Sequence, residues 1–497
     1  MKSKCVIIGS GLGGLSCGSI LSRNGYDVTI LEQGTQIGGC LQCFSRKGVR
    51  FETGMHFIGS AAPGQTLNKL MKYLNLQDVR LSRLNPDAYD IVSLQGEQFR
   101  FANGREHFIE QMASYFPAER DNIVKYYDII ETIAQASSLH SLRHAENDLA
   151  VSTYYQTVSI NEVLDELFND ELLKNVLVGN LPLYAAEKDK TPFSQHAFIM
   201  DFYNQSAFRI VGGSDKIAKE ISADIESRGG KILTSSKATK ILCNDTQAIG
   251  VEVNGSELIP ADIVIAAIHP ARVMEMLDTK LIRPAFRRRI SSLKNTIAGF
   301  SVYLKFKEGT VPYLNSNFYS FKSKTPWDCE NYNEDNWPKG YLYMHFCDHE
   351  KQQYSSSGVL LSYMNMEDLA PWAGSSIGRR GNSYEEFKHI KAEKLLSQAE
   401  KDFPGLRCCV ASYFTSTPLT YLDYTGTQDG SMYGVAKDIT LGASCRVSHK
   451  TKVPNLLLSG QNINSHGMLG VLVGSIVTCS ELLTAETIYH QIIKANQ

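Results

Sequence analysis

A glycine-rich turn near the start of the chain has the residue types and spacing of a phosphate-binding loop. Gly9, Gly11 and Gly14 follow one short apolar run, and Glu32 ends a second. Glycines at this spacing let backbone N–H groups approach a pyrophosphate, and the helix that begins there directs its N-terminus at the phosphates. An acid at Glu32 accepts ribose hydroxyls and repels a 2′-phosphate, so the pattern predicts FAD or NAD rather than NADP.

A second glycine pair, Gly38-Gly39, follows Glu32 closely and favours FAD over NAD. Its bare amides are placed to hold the same pyrophosphate, and a plain turn is the alternative reading. The cofactor contacts predicted from this part of the chain are Gly9, Gly11, Leu12, Gly13, Gly14, Glu32, Gln33, Gly38 and Gly39.

Acid–base or redox chemistry is indicated at two places beside these glycines. His56 lies in an alternating run over residues 49–59 and suits three roles: a proton donor, a hydrogen-bond partner of the cofactor, or a structural histidine. Cys40 and Cys43 form a C-x-x-C pair directly after the second glycine pair. Two readings stay open for this pair, a redox dithiol and small residues that fill a tight turn.

A parallel sheet with flanking helices is needed to position these residues. Residues 6–8 predict a buried strand, and residues 28–32 predict a second strand that ends on the acid. Residues 261–268 are almost entirely apolar, as in a central strand of a parallel sheet. Alternating residues at 231–242 and 248–253 add further strands. The fold class predicted is α/β, with a Rossmann-like cofactor-binding domain assembled from separated segments.

The intervening segments have a different pattern. Residues 66–205 show helical periodicity and many aromatic side chains, which suit either an ordinary core or a long apolar tunnel. Residues 99–101 and the Asn103-Gly104 turn predict a hairpin, and residues 296–430 are rich in strands. We therefore predict an inserted α+β substrate-binding domain. The predicted boundaries are 1–75, 206–295 and 431–497 for the FAD-binding domain, and 76–205 and 296–430 for the substrate-binding domain.

Three runs of the sequence share the pattern of one flavoprotein family. They are Phe-Glu-Thr-Gly-Met-His-Phe-Ile-Gly at residues 51–59, a cluster at 417–438 that includes Tyr433, and Ser-Gly-Gln-Asn followed by His-Gly at 459–467. Together they resemble the retinol saturase and carotenoid isomerase branch of the FAD-dependent phytoene desaturase family, and the resemblance extends over nearly the whole chain. Asn462 stands where the saturase pattern has an aspartate, and this difference bears on the substrate and on the direction of the reaction.

The resemblance also implies where the flavin lies. Gly54 and His56 would lie beside its ring system, and the backbone near Ala238 would meet the adenine. The last long helix, beginning at Gly467, would stabilise negative charge on the flavin with its N-terminal amides. The further cofactor contacts implied are Gly54, Met55, His56, Ala238, Gly460, Gln461, Gly467, Met468 and Leu469.

The function predicted from this resemblance is that of an FAD-dependent oxidoreductase acting on carbon–carbon double bonds of a hydrophobic polyene or isoprenoid, most like retinol saturation. His56 and Tyr433 are the candidate proton donors. Carotenoid cis–trans isomerisation and phytoene-type desaturation are alternatives, because one flavin can serve all three reactions. Amine or porphyrinogen oxidation is a rival. So is a flavin-free escort of prenylated proteins, although an escort would not need an intact glycine motif.

Composition and charge exclude some classes of binding partner and indicate the cellular compartment. A net charge of -2 and a pI near 6.6 give no basic surface for nucleic acid. Eleven cysteines and no secretory signal indicate a reducing, cytoplasmic compartment. The C-x-x-C pair lacks a second pair for zinc, so no metal is expected. The absence of a second G-x-G-x-x-G motif predicts that an external reductant or oxidant binds transiently or comes from a redox partner.

A membrane surface is the expected source of a polyene substrate. No stretch of the sequence has the composition of a membrane span, so we expect peripheral contact at the inner face of the membrane. The candidate contact is the predicted helix at 123–133, whose apolar face comprises Ile123, Tyr126, Tyr127 and Ile130. A helix packed on the core of its own protein gives the same pattern.

Overall fold

The structure is a computed structural model that describes residues 2–137, 142 and 153–497. Residues 138–141 and 143–152, within the predicted substrate-binding domain, lie outside the described residues. The strands are β1 Lys4–Ile8, β2 Asp27–Leu31, β3 Cys43–Arg46, β4 Val49–Glu52, β5 Ile58–Gly59, β6 Leu81–Arg83, β7 Asp90–Leu94, β8 Glu97–Phe101, β9 Ala207–Ile210, β10 Lys231–Leu233, β11 Ala238–Cys243, β12 Ala248–Val253, β13 Glu257–Pro260, β14 Ile263–Ala266, β15 Ala298–Phe306, β16 Asn317–Phe321, β17 Gly340–His345, β18 Ser357–Met364, β19 Val410–Ser416 and β20 Leu456–Leu458.

The α-helices alternate with these strands in the cofactor-binding segments and are consecutive in the middle of the chain. They are α1 Leu12–Arg23, α2 Thr66–Tyr73, α3 Arg105–Tyr115, α4 Arg120–Ala136, α5 Ile160–Leu167, α6 Glu171–Leu177, α7 Phe193–Gln205, α8 Asp215–Ser227, α9 Pro270–Met276, α10 Pro284–Ser291, α11 Asn382–Asp402, α12 Leu406–Cys409, α13 Pro418–Thr425, α14 Gly467–Cys479 and α15 Ala485–Ala495. Short 3-10 turns occur at Gly39–Leu41, Pro117–Glu119, Leu181–Leu183, Met366–Trp372, Gln428–Gly430 and Ile439–Cys445.

A parallel five-stranded sheet positions the glycine-rich turn. Its order is β10-β2-β1-β14-β20, and every neighbouring pair is parallel. Ile7 and Ile265 are fully buried, as expected for parallel strands covered by helices on both faces. The strands predicted at 6–8, 28–32 and 261–268 all belong to this sheet, so the predicted α/β, Rossmann-like fold is confirmed.

Helix α1 continues the glycine-rich turn into the core. It packs against β2, α8 and α14. A Cβ added at Gly14 would lie 2.0 Å from the carbonyl oxygen of Gly9, and one at Gly18 would lie 2.8 Å from Ile30. Glycine is therefore required at Gly14 for the helix to lie this close to the sheet, whereas a side chain at Gly18 would displace the end of the Ile30 side chain.

A seven-stranded mixed sheet forms the second layer of the molecule. Its order is β19-β15-β18-β17-β16-β7-β8. Strands β7 and β8 come from residues 76–205 and the other five from residues 296–430. The two segments predicted to form one inserted domain thus share one sheet, while the predicted domain boundaries themselves stay a prediction.

The hairpin between β7 and β8 turns at a different place from the predicted one. The chain reverses at Gln95 and Gly96, whose φ angles of 52° and 91° suit the tight turn of a two-residue hairpin. Asn103 lies after β8, and Gly104 is the N-cap of α3. The prediction of a turn at Asn103-Gly104 is therefore wrong, because that dipeptide joins a strand to a helix.

The apolar face of α4 does not reach the surface. Ile123, Tyr126 and Ile130 are 0% exposed and Tyr127 is 4% exposed, all within the main hydrophobic core. The face packs against α7. The prediction that it contacts a membrane is therefore wrong, since a helix covered by its own protein shows the same periodicity as a membrane-binding helix.

Candidate functional site

A cavity of about 760 Å³ lies at the carboxyl ends of the parallel strands, the edge where open α/β sheets bind ligands. Ile8, Leu31, Ala267 and Ser459, at or just after the ends of β1, β2, β14 and β20, line it. All but one of the predicted site residues also line it, namely Gly9, Gly11, Leu12, Gly13, Glu32, Gln33, Gly38, Gly39, Gly54, Met55, His56, Ala238, Tyr433, Gly460, Gln461, Gly467, Met468 and Leu469.

Gly14 is the exception, and its predicted contact with the cofactor is corrected to a packing role beneath the turn. The other glycines form a single cradle of bare backbone. The Gly38 N–H donates to the carbonyl of Ser10 (3.0 Å), and a Cβ at Gly39 would lie 3.1 Å from the Cα of Gly11. A Cβ at Gly11 would meet nothing within 4 Å, because that side faces the cavity. Such a cradle fits a pyrophosphate.

Glu32 is held in a fixed orientation at the side of this cradle. One carboxylate oxygen accepts from the Ser10 backbone N–H (3.1 Å) and from the Ser10 hydroxyl, and the other accepts from the Gly34 N–H (2.7 Å). A carboxylate has about four lone-pair sites, so it retains acceptor capacity toward the cavity. The buried acid therefore fits the predicted ribose contact.

The N-terminus of α14 borders the opposite side of the cavity. Met468 and Leu469 in its first turn line the cavity, and no side chain caps its free N–H groups. Unpaired N–H groups and the helix dipole favour an electron-rich ligand atom at this point. The helix end therefore fits a flavin ring that carries negative charge when reduced.

Asn462, where the sequence departs from the saturase pattern, holds a neighbouring loop. Its side-chain oxygen accepts from the Val435 N–H (3.0 Å), and its backbone carbonyl accepts from the Lys437 ammonium (3.4 Å). Burial lowers the pKa of Lys437. A Cβ at Gly434 would lie 2.0 Å from the Asn462 side-chain oxygen, so glycine is required there. The neutral amide thus anchors the segment that carries Tyr433.

His56 lines the cavity and is held from behind by buried polar groups. The Arg209 guanidinium donates to the His56 carbonyl (3.2 Å) and to the side chain of Asn317 (2.9 Å). The Nδ1 atom of His56 lies 3.8 Å from a carboxylate oxygen of Glu52. Burial raises the pKa of Glu52, and the nearby His56 and Arg209 partly offset this. His56 was predicted from the sequence as a site residue and Glu52 was not, although both belong to one motif.

The Tyr433 hydroxyl is already engaged in a hydrogen bond, which limits its use as a proton donor. Its hydroxyl donates to the carbonyl of Pro182 (2.8 Å), and its ring lies 4.5 Å from the ring of His466, centroid to centroid. Burial raises the pKa of Tyr433 above its usual range. Burial, together with the charge of Lys437, lowers the pKa of His466 to about 4. Of the two predicted proton donors, His56 is the one whose side chain is not already committed to a backbone carbonyl.

The inner wall of the cavity is apolar. It is formed by α7, β17, β18 and neighbouring loops, through Leu183, Phe198, Ile199, Phe202, Tyr203, Leu342, Met344, Leu361 and Met432. The charged lining residues belong to other segments and are Glu32, Lys237, Arg272, Glu275 and Asp423. An apolar wall of this kind suits a hydrocarbon substrate.

Several lining residues were not predicted from the sequence. Ser10 lies inside the glycine motif, and its hydroxyl was overlooked although it orients Glu32. Tyr421 donates to the carbonyl of Thr53 (3.1 Å), and Arg272 contacts the carbonyl of Gly426 (3.5 Å). No local signal marks Tyr421 or Arg272, because their place in the cavity depends on contacts with residues far away in the chain.

The two cysteines of the C-x-x-C pair face different surroundings. Cys40 lines the cavity, whereas the Cys43 thiol lies 3.8 Å from the Ser214 hydroxyl. Burial raises the pKa of both thiols, and the nearby Glu52 adds to the effect at Cys43. Reactive dithiols need lowered pKa values, so the structure favours small residues in a tight turn. All eleven cysteines are free thiols.

Two structural features bear on the predicted membrane contact and on metal binding. None of the helices in residues 2–137 and 153–497 is long and apolar enough to cross a membrane. Within those residues no group of three or more His, Cys, Asp or Glu side chains is arranged to hold a metal ion.

The chain is similar to known flavoproteins along most of its length. Residues 12–386 match the family of flavin-containing amine oxidoreductases. All-trans-retinol 13,14-reductase of Rattus norvegicus is 27% identical, over 98% of this chain and 86% of the rat protein. The chloroplastic prolycopene isomerase 1 of an Oncidium hybrid cultivar is 22% identical, over 97% and 84%. The crystal structure of an oxidoreductase from Methanosarcina mazei has the same fold, with a TM-score of 0.65, 17% identity and coverage of 96% and 100%.

Proposed function

The chain belongs to the flavin-containing amine oxidoreductase family and is an FAD-dependent oxidoreductase, and from this premise we propose that it saturates a carbon–carbon double bond of a retinoid-like polyene. The observation that carries the proposal is the apolar inner wall of the cavity, directly beside the glycine cradle. The similarity to all-trans-retinol 13,14-reductase over 98% of the chain supports it.

Different residues of the chain would bind FAD, deliver a proton and orient the substrate. The glycine cradle would bind the pyrophosphate of FAD and Glu32 its ribose, while the first turn of α14 would face the flavin. Bound FAD supplies hydride-transfer chemistry. His56 would deliver the proton that completes saturation of the double bond. The apolar wall would orient the polyene and exclude water from the reacting carbons. The predicted boundaries 1–75, 206–295 and 431–497 against 76–205 and 296–430 assign these tasks to two domains.

Carotenoid isomerisation is the second candidate, because prolycopene isomerases are also similar over nearly the whole chain. Reduction is preferred since identity to the retinol reductase is 27% over 98% of the chain, against 22% over 97% for the isomerase. Amine oxidation is less well supported. An amine substrate is a cation, and no carboxylate belongs to the apolar wall contributed by α7, β17 and β18.

A polyene must also reach the cavity from its lipid store. We propose peripheral contact with the inner face of the cytoplasmic membrane near Tyr424, which lines the cavity and is 59% exposed. This location replaces the α4 face, which is buried. An external electron donor, bound transiently or as a redox partner, would reduce the flavin.

The test is anaerobic turnover with chemically reduced, FAD-loaded protein. All-trans-retinol, a cis-carotenoid and a diamine are supplied separately, and products are identified by chromatography and mass spectrometry. We expect a dihydro product from the retinoid. An isomerised product of unchanged mass would favour the isomerase instead. The diamine is supplied in a separate aerobic assay to the oxidised, FAD-loaded protein, and its oxidation with formation of hydrogen peroxide would contradict the proposal.

A pair of variants tests the role of the apolar wall. Leu183→Gln places an amide in the wall, whereas Leu258→Gln changes an exposed leucine on β13. The first should lower kcat/KM for the polyene by about 10-fold while FAD content is unchanged, because the amide must be desolvated against hydrocarbon. The second should have no effect, and equal activities would argue against binding at this wall.

A further inference from the structure

A buried carboxyl stands directly behind His56. Glu52, at the end of β4, is 5% exposed, and its Oε2 atom lies 3.8 Å from the Nδ1 of His56. That nitrogen is buried and has no hydrogen-bond partner among the described residues. The distance exceeds that of a hydrogen bond. Catalytic hydrogen bonds are often this long before substrate binds.

A second, much smaller cavity lies on the other side of Glu52. Its volume is about 10 Å³, and Glu52, Gly213, Phe346 and Asp348 are among its lining residues. This is roughly the space that one water molecule needs. Asp348 is exposed, so the small cavity adjoins the protein surface. Glu52 lines only the small cavity and His56 lines only the large one.

Charged and titratable groups surround Glu52 on every side. The groups beside it are Arg50 on its own strand, Cys43 on β3, His56, Arg209 on β9, and Cys347 and Asp348 after β17, while Asp215 on α8 contacts Arg50 and Cys43. Arg50 is paired with Asp215, and Arg209 is tied to backbone carbonyls and to Asn317. Burial raises the pKa of Glu52, with His56 and then Arg209 opposing the rise. His56 is thus a group that can exchange a proton with Glu52, and its Nδ1 lies 3.8 Å from the carboxylate.

We propose that Glu52 and His56 form a proton relay from the protein surface to the substrate cavity. The relay rests on the proposed function, in which saturation needs one hydride and one proton. His56 gives its proton to the alkene carbon next to the one that receives the hydride. In the same step the Nδ1 of His56 takes the carboxyl proton of Glu52, so the imidazole stays neutral and changes tautomer. Solvent entering the small cavity then returns a proton to Glu52, and proton exchange with solvent restores the starting tautomer of His56 before the next turnover. The hydride comes from FAD reduced by an external two-electron donor.

The first test measures the protonation of Glu52 in the Glu52–His56 pair without substrate. Infrared spectroscopy of the FAD-loaded protein follows the carbonyl band of protonated carboxylic acids as the pH rises. Burial raises the pKa of Asp90 and Glu330 as well, so the Glu52 band is taken as the difference between the spectra of the wild type and Glu52→Gln. We expect this difference band to persist above the ordinary titration range of glutamate. In His56→Gln the midpoint of this band should move to higher pH, because His56 opposes the rise in the pKa of Glu52. An unchanged midpoint would overturn the relay.

The second test compares the pH dependence of turnover. As the pH rises through the pKa of Glu52, the relay loses its proton, so kcat of the wild type should fall. Glu52→Gln should lower kcat by about 10-fold to 100-fold with little change in KM, and should lose this alkaline limb. Glu52→Asp keeps a carboxyl group and should recover part of the rate. Identical pH profiles in the wild type and Glu52→Gln would overturn the relay.

Glu119→Gln is the matched control. Glu119 is also a buried carboxylate, and it accepts hydrogen bonds from the backbone N–H groups of Asn169 and Asp170, outside the cavity lining. Its variant should keep both the infrared band and the pH profile, and loss of either would overturn the assignment to Glu52. Failure of the wild type to reduce any polyene would instead refute the proposed function, and the relay would then be judged by the infrared midpoints.

Discussion

Glu32 is oriented before any ligand binds. Ser10 and Gly34 donate to both of its oxygens, so a ribose hydroxyl meets a carboxylate that needs no reorganisation. Preorganisation of this kind lowers the cost of binding. The affinity for FAD should therefore depend strongly on this one side chain.

We predict that Glu32→Ala weakens FAD binding by about 10-fold to 150-fold, because a hydrogen bond to a charged group contributes roughly 1.5–3 kcal/mol. The measurement is titration of the apoprotein with FAD by fluorescence. Glu257→Ala, at an exposed position on β13, is the control and should bind FAD normally. Equal affinities would contradict the ribose contact.

One buried histidine has a tyrosine hydroxyl close to each of its ring nitrogens. His196 lies between two tyrosines, with its Nε2 2.7 Å from the Tyr126 hydroxyl and its Nδ1 2.7 Å from the Tyr184 hydroxyl. Burial lowers the pKa of His196 to about 3. A neutral imidazole accepts from one tyrosine hydroxyl and donates to the other without placing a charge in the core, so burial favours the uncharged ring.

This arrangement predicts loss of stability in acid. The folded-state pKa of His196, about 3, lies below its reference value of 6.5, so between these values the unfolded chain binds the extra proton. The free energy of unfolding should fall by about 1.4 kcal/mol per pH unit for this group. Between pH 6.5 and 5, the free energy of unfolding measured with urea should fall less steeply with decreasing pH in His196→Gln than in the wild type. His490→Gln, at an exposed position, should keep the wild-type slope.

At the scale of elements, glycine has two different roles at the junction of β1 and α1, close packing and cofactor binding. A side chain at Gly14 would collide with the backbone of Gly9, whereas one at Gly11 would project into the cavity. Gly11 has a φ of -63°, which alanine adopts without strain. Folding therefore depends on Gly14 and cofactor binding on Gly11.

Two alanine variants should show opposite behaviour. Gly11→Ala should leave the thermal stability of the apoprotein unchanged but lower FAD affinity by about 10-fold or more, because its methyl group occupies the pyrophosphate cradle. Gly14→Ala should destabilise the apoprotein by about 2 kcal/mol or more through overpacking. Calorimetry of the apoproteins and FAD titration measure both. A destabilised Gly11→Ala apoprotein would contradict this division.

At the scale of the whole molecule, the cavity extends from the glycine cradle to the seven-stranded sheet. Tyr424 lies on its lining with 59% of its side chain exposed, at the end of α13. An exposed aromatic ring at the edge of an apolar cavity suits contact with a lipid surface, because the ring buries well at the interface of a bilayer.

Liposome flotation should detect this contact. We predict that Tyr424→Ser lowers the membrane partition coefficient by about five-fold, which corresponds to roughly 1 kcal/mol of lost apolar burial. Tyr354→Ser removes an equally exposed tyrosine, 50% accessible, that does not line the cavity, and should float like the wild type. Equal flotation of all three proteins, at low and high salt, would refute contact at Tyr424.

Local sequence patterns were sufficient to predict the parts of the protein whose structure depends on residues close together in the chain. Glycine spacing around Gly11, the acid at Glu32 and the apolar run at 261–268 indicated the cofactor and the parallel sheet, and the family resemblance added cavity residues such as Gly54 and Gly467. The physical reason is that a turn, a helix start and a buried strand each depend on residues close together in the chain.

Tertiary structure decided what depends on distant segments. The face of α4 has one periodicity whether a membrane or a core covers it, and only packing against α7 shows which it is. Glu52 lies four positions before His56 in one motif, yet the small cavity behind it is closed by Gly213 and Asp348 from far along the chain. Burial, and with it the pKa of a carboxyl group, is a property of the assembled chain, so no local pattern contains it.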